Sequence, residues 1–107
     1  MKLSMNNIYL LYGIDKSLID NKVDEIKKKI NVNDFDIIKY DMNIDSIDSI
    51  INEISMPSLF SNTKLLLVNN STFFSSSKSI DTTELEKYLE NISKSIYIIF
   101  TLYSISL

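Results

Sequence analysis

Gly13-Ile14-Asp15-Lys16-Ser17 follows a short apolar run and precedes a helical pattern, the place where a phosphate-binding loop would stand. That chemistry needs G-x-x-x-x-G-K-[ST], a loop long enough for consecutive backbone N–H groups to wrap the phosphates. Here the segment is three residues short, lacks the second Gly, and sets the Asp15 carboxylate where a phosphate belongs. A turn and a helix cap account for it better. Asp41, Asn43 and Asp45 have the spacing of the first ligands of a calcium loop, but the sixth position is Ser46 rather than Gly and the twelfth is Asn52 rather than Glu. This reads as a capping and loop cluster. Asp34 with Asp36, and Glu84 with Glu86, read as solvated faces, and no catalytic carboxylate pair can be argued.

Absent residue types exclude more. The chain has no His and no Cys, which removes the usual neutral-pH general base, every Ser-His-Asp arrangement, thiol nucleophiles, disulfides and thiolate zinc sites. All eleven basic residues are Lys, so there is no planar guanidinium fork for phosphate or guanine. A net charge of −3 argues against non-specific nucleic-acid binding by this chain alone. The expected set of cofactors and metals is therefore empty.

One further segment is chemically conspicuous: Met56-Pro57-Ser58-Leu59-Phe60-Ser61, between a helical pattern and an apolar strand. Pro57 cannot continue a helix interior, and Ser58, Ser61 and Asn62 form turns. Leu59 and Phe60 thus lie where the chain reverses. An adjacent apolar pair at such a place either plugs the end of a core or stands out for a partner.

The elements that position these residues follow from apolar spacing. Asn7–Tyr12 is a short run, apolar after Asn7, that suits a strand covered on both faces. Asp15 predicts a helix cap, with Leu18, Ile19, Val23, Ile26 and Ile30 as the inward stripe and Lys27, Lys28 and Lys29 complementing the dipole at its end. Phe35–Tyr40 predicts a second strand nearer an edge. Ser46 or Asp45 caps a helix with Ile47, Ile50, Ile51 and Ile54 on one face, closed by Pro57. Lys64–Val68 is the clearest buried strand. Ser71–Ser79 is a Ser-rich connection carrying Phe73 and Phe74. Asp81 or Thr82 caps a third helix with Leu85, Leu89 and Ile92 inward, and Ile96–Leu102 is the fourth strand. This alternation predicts an α/β domain, a parallel sheet with helices on its faces. At 107 residues, with 45% apolar and 23% charged residues and a single Gly and Pro, the composition is that of one globular domain. No apolar run approaches the roughly 20 residues of a membrane span and no signal segment opens the chain, so the expected location is cytoplasmic, with no membrane partner.

So placed, the chain resembles the N-terminal domain of the delta subunit of the bacterial DNA polymerase III clamp loader. The landmarks are Asn7-Ile8-Tyr9-Leu10-Leu11-Tyr12-Gly13 followed by Leu18-Ile19, then Ile38-Lys39-Tyr40-Asp41. The most specific is Met56-Pro57-Ser58-Leu59-Phe60-Ser61-Asn62-Thr63-Lys64-Leu65-Leu66-Leu67-Val68; Glu84-Leu85-Glu86-Lys87-Tyr88-Leu89 and Ile98-Ile99-Phe100 complete the set. The resemblance covers essentially all of residues 1–107.

It implies a three-layer, mostly parallel RecA-like domain of the AAA+ type, without a working nucleotide site, truncated after its fourth strand. AAA+ sheets run 5-1-4-3-2, so the expected order is 1-4-3-2. The edge of Asn7–Tyr12 would then lack a neighbour, and is expected to be covered by Ser104–Leu107 or by a second copy of the chain. The resemblance also implies that Leu59 and Phe60 enter the hydrophobic pocket of the beta sliding clamp, framed by Met56 and Ser58, so that the ring opens for loading onto DNA. The subunit would be non-catalytic, serving DNA-directed DNA polymerase activity only by assembly. Other clamp-loader subunits would meet the full-length protein, and DNA would be met only through the assembled complex. Family members often carry acidic residues after the Gly and continue into two further helical domains; Ser104–Leu107 match no such continuation. This chain alone should bind the clamp without assembling a loader. A P-loop-like NTPase with a degenerate loop is the alternative, and a flavodoxin-like or receiver domain a third possibility that Asp41 alone supports poorly.

Overall fold

The computed structural model describes residues 7–33, 36–56, 63–74 and 81–103. In chain order these form β1 (Ile8–Tyr12), α1 (Lys16–Ile30), β2 (Ile37–Asp41), α2 (Ile47–Ser55), β3 (Lys64–Asn69), α3 (Thr83–Glu90) and β4 (Ile96–Leu102), with a 3-10 turn at Thr72–Phe74. The strands make one all-parallel sheet in the order β1-β4-β3-β2, as the resemblance implies. β3 and β4 are central. Leu65, Leu66, Leu67 and Val68 are all buried, and so is every residue of β4 except Tyr97, which accounts for their unbroken apolar runs.

Alternation along each strand divides the core into two layers. Leu66, Val68, Ile96, Ile98 and Phe100 face α2 and α3, joined by Ile50, Ile51, Ile54, Leu85 and Leu89. Leu65, Leu67 and Ile99 face the opposite way and pack on Ile19, Val23 and Ile26 of α1. Full burial of such a side chain contributes about 1.5–3 kcal/mol, so these two layers hold the fold. Phe73, in the 3-10 turn, meets Phe100 edge-on with ring centroids 5.8 Å apart.

Two expectations need correction. Leu18 is 65% exposed and does not join the α1 stripe. It precedes Ile19 by one residue, about 100° around the helix, and the stripe Ile19-Val23-Ile26-Ile30 already fills the face toward the sheet. β1 is not covered on both faces either: Tyr9 and Leu11 pack on the α1 side, while Leu10 and Tyr12, which alternate with them onto the other face, are exposed. The residues proposed to cover that edge, Ser104–Leu107, lie outside the described residues. So does Phe35, the expected start of β2.

Candidate partner-binding surface

The β1–α1 turn is closed by its own side chains. Gly13 has φ +156°, a conformation L-residues rarely adopt, and its N–H donates to Leu102 O at 3.1 Å. Asp15 then caps α1: its Oδ1 accepts from the Ser17 hydroxyl at 2.7 Å, the Ser17 N–H at 3.0 Å and the Leu18 N–H at 3.3 Å. The Ser17 hydroxyl, and after it the Leu18 N–H, hold the Asp15 carboxyl below its ordinary pKa. The N–H groups that a phosphate would need are therefore occupied by a carboxylate of the chain itself. Lys16 is engaged as well, with Nζ 2.8 Å from Asp20 Oδ2 and 5.4 Å from the centre of the Tyr103 ring.

The Asp41 loop is likewise internal. Asp41 Oδ1 accepts from the Asn70 amide and from the Asn43 N–H, both at 2.9 Å, and Asp45 Oδ2 accepts from the Asp41 N–H at 2.9 Å. The Asn70 amide is the main reason the Asp41 pKa lies below its usual value. Asn70, at φ 56°, takes the left-handed conformation that turns its amide back toward β2. Among the described residues no group of three or more His, Cys, Asp or Glu side chains could hold a metal ion.

A different arrangement ends α2. Ile50, Ile51 and Ile54 are buried, and the helix stops at Met56, whose φ −74° and ψ 130° are the extended values imposed on a residue before proline. Met56 is 51% exposed. Glu53, on the last turn of α2, meets Lys64, the first residue of β3, at 2.6 Å, and both side chains are largely buried. This pair ties together the two stems of the intervening segment. Of the four residues expected to make the partner site, Met56 alone is described; Ser58, Leu59 and Phe60 lie outside the described residues.

A groove of about 680 Å³ opens between α2 and α3, lined by Ile54, Ser55, Glu84, Lys87, Tyr88 and Asn91. Tyr88 is exposed, while its neighbours Leu85 and Leu89 are buried on the inner face of α3. Sequence reasoning did not find this groove. Only the packing of α3 against α2, which local spacing does not specify, brings Tyr88 next to Ile54.

Among curated proteins no sequence matches significantly. The chain's fold is similar to that of the Bacillus subtilis DNA clamp loader delta protein (YqeN), with a TM-score of 0.74 at 20% identity, over 92% of this chain and 31% of that protein's length. The family model for DNA polymerase III, delta subunit, matches residues 9–106. With that match running from β1 through β4 and past it, the chain belongs to the DNA polymerase III delta subunit family.

Proposed function

We propose that this chain is a non-catalytic, sliding-clamp-binding module of the DNA polymerase III clamp loader, acting in DNA replication. The observation that carries the reading is the family match over residues 9–106, which contains the Met56–Val68 landmark. Residues 1–107 act as the N-terminal AAA+-like domain. Leu59 and Phe60 are the wedge that enters an apolar pocket of the beta sliding clamp, and Met56 and Ser58 frame it. The Glu53–Lys64 pair supports this role by fixing both stems of the wedge segment. Burying Leu and Phe contributes about 1.5–3 kcal/mol each. This is the order of energy needed to favour one state of a ring over another.

The module works by binding rather than by turnover. Asp15 occupies the N–H groups at the start of α1, which disfavours the alternative of an NTPase with a degenerate loop. No cofactor is required. Other clamp-loader subunits and DNA are partners of the assembled complex, in the cytoplasm. Among the described residues no helix is long and apolar enough to cross a membrane.

Retention of the chain on immobilised sliding clamp from the same source tests the proposal. The wild-type chain is retained and L59A/F60A is not. Equal retention of both would remove the wedge from the account. Titration with Mg-ATP gives no binding heat, and a micromolar affinity would restore the NTPase reading.

A further inference from the structure

We infer that the outer edge of β1 is an interaction surface for a second copy of this chain, the two β1 strands pairing antiparallel about a two-fold axis through Leu10; the inference does not rest on the clamp reading. Among the described residues β1 pairs with β4 alone, so no strand takes up the backbone groups of its other edge. The register says which groups these are. Ile98 N–H donates to Asn7 O and Gly13 N–H donates to Leu102 O, which turns the odd-numbered residues of this stretch toward β4. The N–H and C=O of Ile8, Leu10 and Tyr12 therefore point outward.

The side chains beside this edge are apolar on both faces. Leu10 and Tyr12, 37% and 53% exposed, stand on one face, and Leu11 lies on the other with Leu18 of α1, which is 65% exposed. Together with Ile19 and Lys22 they line a shallow slot of about 280 Å³. The fitting occupant is thus an extended strand that offers backbone groups to one edge and apolar side chains to both faces. β2, the other edge strand, is guarded against such pairing by an exposed Lys39 at its centre. β1 has no such guard, since Ile8–Tyr12 carries neither charge nor proline.

β1 itself meets that description. Among the described strands β3 and β4 have both edges paired and β2 carries Lys39, which leaves β1 as the strand that is uncharged and has an edge to offer. The match is also self-complementary. A two-fold axis through Leu10, the central residue of β1, sets Leu10 opposite its own counterpart and Ile8 opposite Tyr12 of the other copy. Residues so opposed exchange both N–H to O bonds in an antiparallel ladder, so every outward donor meets an acceptor. Leu10 and Tyr12 of the two copies then join in one apolar row without a charge in it. The paired stretch of five residues is about 17 Å long, which makes a small interface and a dimer of micromolar affinity.

Sedimentation of the 107-residue chain from about 1 to 200 µM, beside hydrogen exchange and melting curves, tests this. The wild-type chain passes from monomer to dimer over this range, and the Leu10 and Tyr12 N–H groups gain protection as it does. Leu10→Lys and Leu10→Glu each set like charges side by side at the axis and weaken association about tenfold, with the fold retained. An equimolar mixture of these two variants associates more tightly than either alone, because opposite charges then face each other. Leu18→Ser, on α1 and off the strand, weakens association severalfold. A chain that stays monomeric throughout overturns the inference. Protection of Leu10 and Tyr12 already in the monomer would mean that the chain's own terminal residues cover the edge, and overturns it too. A dimer that both Leu10 variants leave intact belongs to another surface and has the same consequence.

Discussion

Two turns of this molecule invite opposite mistakes. The β1–α1 turn carries Gly, Asp, Lys and Ser at suggestive spacing, yet each of these groups has a partner within the chain: Gly13 on Leu102, Asp15 on Ser17 and Leu18, and Lys16 on Asp20. The α2–β3 turn differs in kind: its stems are tied by the Glu53–Lys64 pair, and Met56 at its start is half exposed. Polar groups that satisfy one another are part of the fold. The polar contacts of the first turn thus serve stability, while recognition by the second is the role proposed from the family match.

That assignment breaks if mutations cross over. The largest stability effect belongs to the first turn. Gly13→Ala keeps ordinary space around the new Cβ, with Ile19 Cδ1 4.0 Å away, but forces an L-residue to φ +156°. Such backbone strain costs about 1–3 kcal/mol. Chemical denaturation should show this loss while clamp binding by the folded fraction is unchanged; a loss of binding without a loss of stability would contradict the assignment.

Next in size is the Lys64–Glu53 pair. Lys64→Ala removes one partner of a largely buried ion pair, for a cost of about 1 kcal/mol, the upper end for pairs that keep some solvent access. Because this pair joins the stems of the proposed wedge segment, the variant should lose clamp affinity severalfold as well, measured by calorimetry. An unchanged affinity would show that the stems need no tie.

A smaller effect concerns acid. The folded-state pKa of Asp15 is lowered by the Ser17 hydroxyl, so its contribution is present above the unfolded carboxylate range near pH 4 and is lost as pH falls through the folded value. Asp20, held low mainly by Lys16, and Asp41, held low mainly by Asn70, act in the same direction. Melting temperature should fall below about pH 4. In Asp15→Asn, which keeps a capping oxygen but cannot titrate, part of that dependence should vanish.

The smallest effect is alkaline. Burial, and then the charges of Glu53 and Asp45, push the Tyr40 phenol up to about 12. A raised folded pKa means stability present below the ordinary value near 10 and lost as pH rises through the folded one. Ultraviolet titration should show a phenol ionising at about 12, and Tyr40→Phe should delete that step.

Much of the fold was legible because burial and spacing agree. Leu65–Val68 and Ile96–Leu102 are apolar throughout since they are the two central strands, and Ile50, Ile51 and Ile54 follow one helical face. Strand order was not legible from pattern: it came from the family resemblance and matches the observed β1-β4-β3-β2. Where local rules failed, a neighbour decided. Leu18 fits a helical step but lies beyond the width of the sheet-facing stripe. Leu10 and Tyr12 are apolar yet exposed because they alternate onto the face of β1 opposite the one that packs on α1. The Ser-rich connection hid a 3-10 turn whose Phe73 packs on Phe100, a contact across 27 residues that no local signal announces. Asn7 anchors the start of β1 by donating to Lys94 O at 3.0 Å and Ile96 O at 2.9 Å, again a non-local link. In the proposed partner site, the Met-Pro-Ser-Leu-Phe order was visible in the sequence, whereas the groove that holds Tyr88 forms only through the packing of α3 against α2.

The most direct test is the melting temperature of L59A/F60A measured beside its binding to the sliding clamp. If the pair serves a partner, binding is abolished and the melting temperature stays within a few degrees of wild type. If the pair plugs the core, each truncation removes about 2–5 kcal/mol of stability, and the double variant unfolds far below the wild-type midpoint or fails to fold. That second result would contradict the assignment of recognition to the α2–β3 turn.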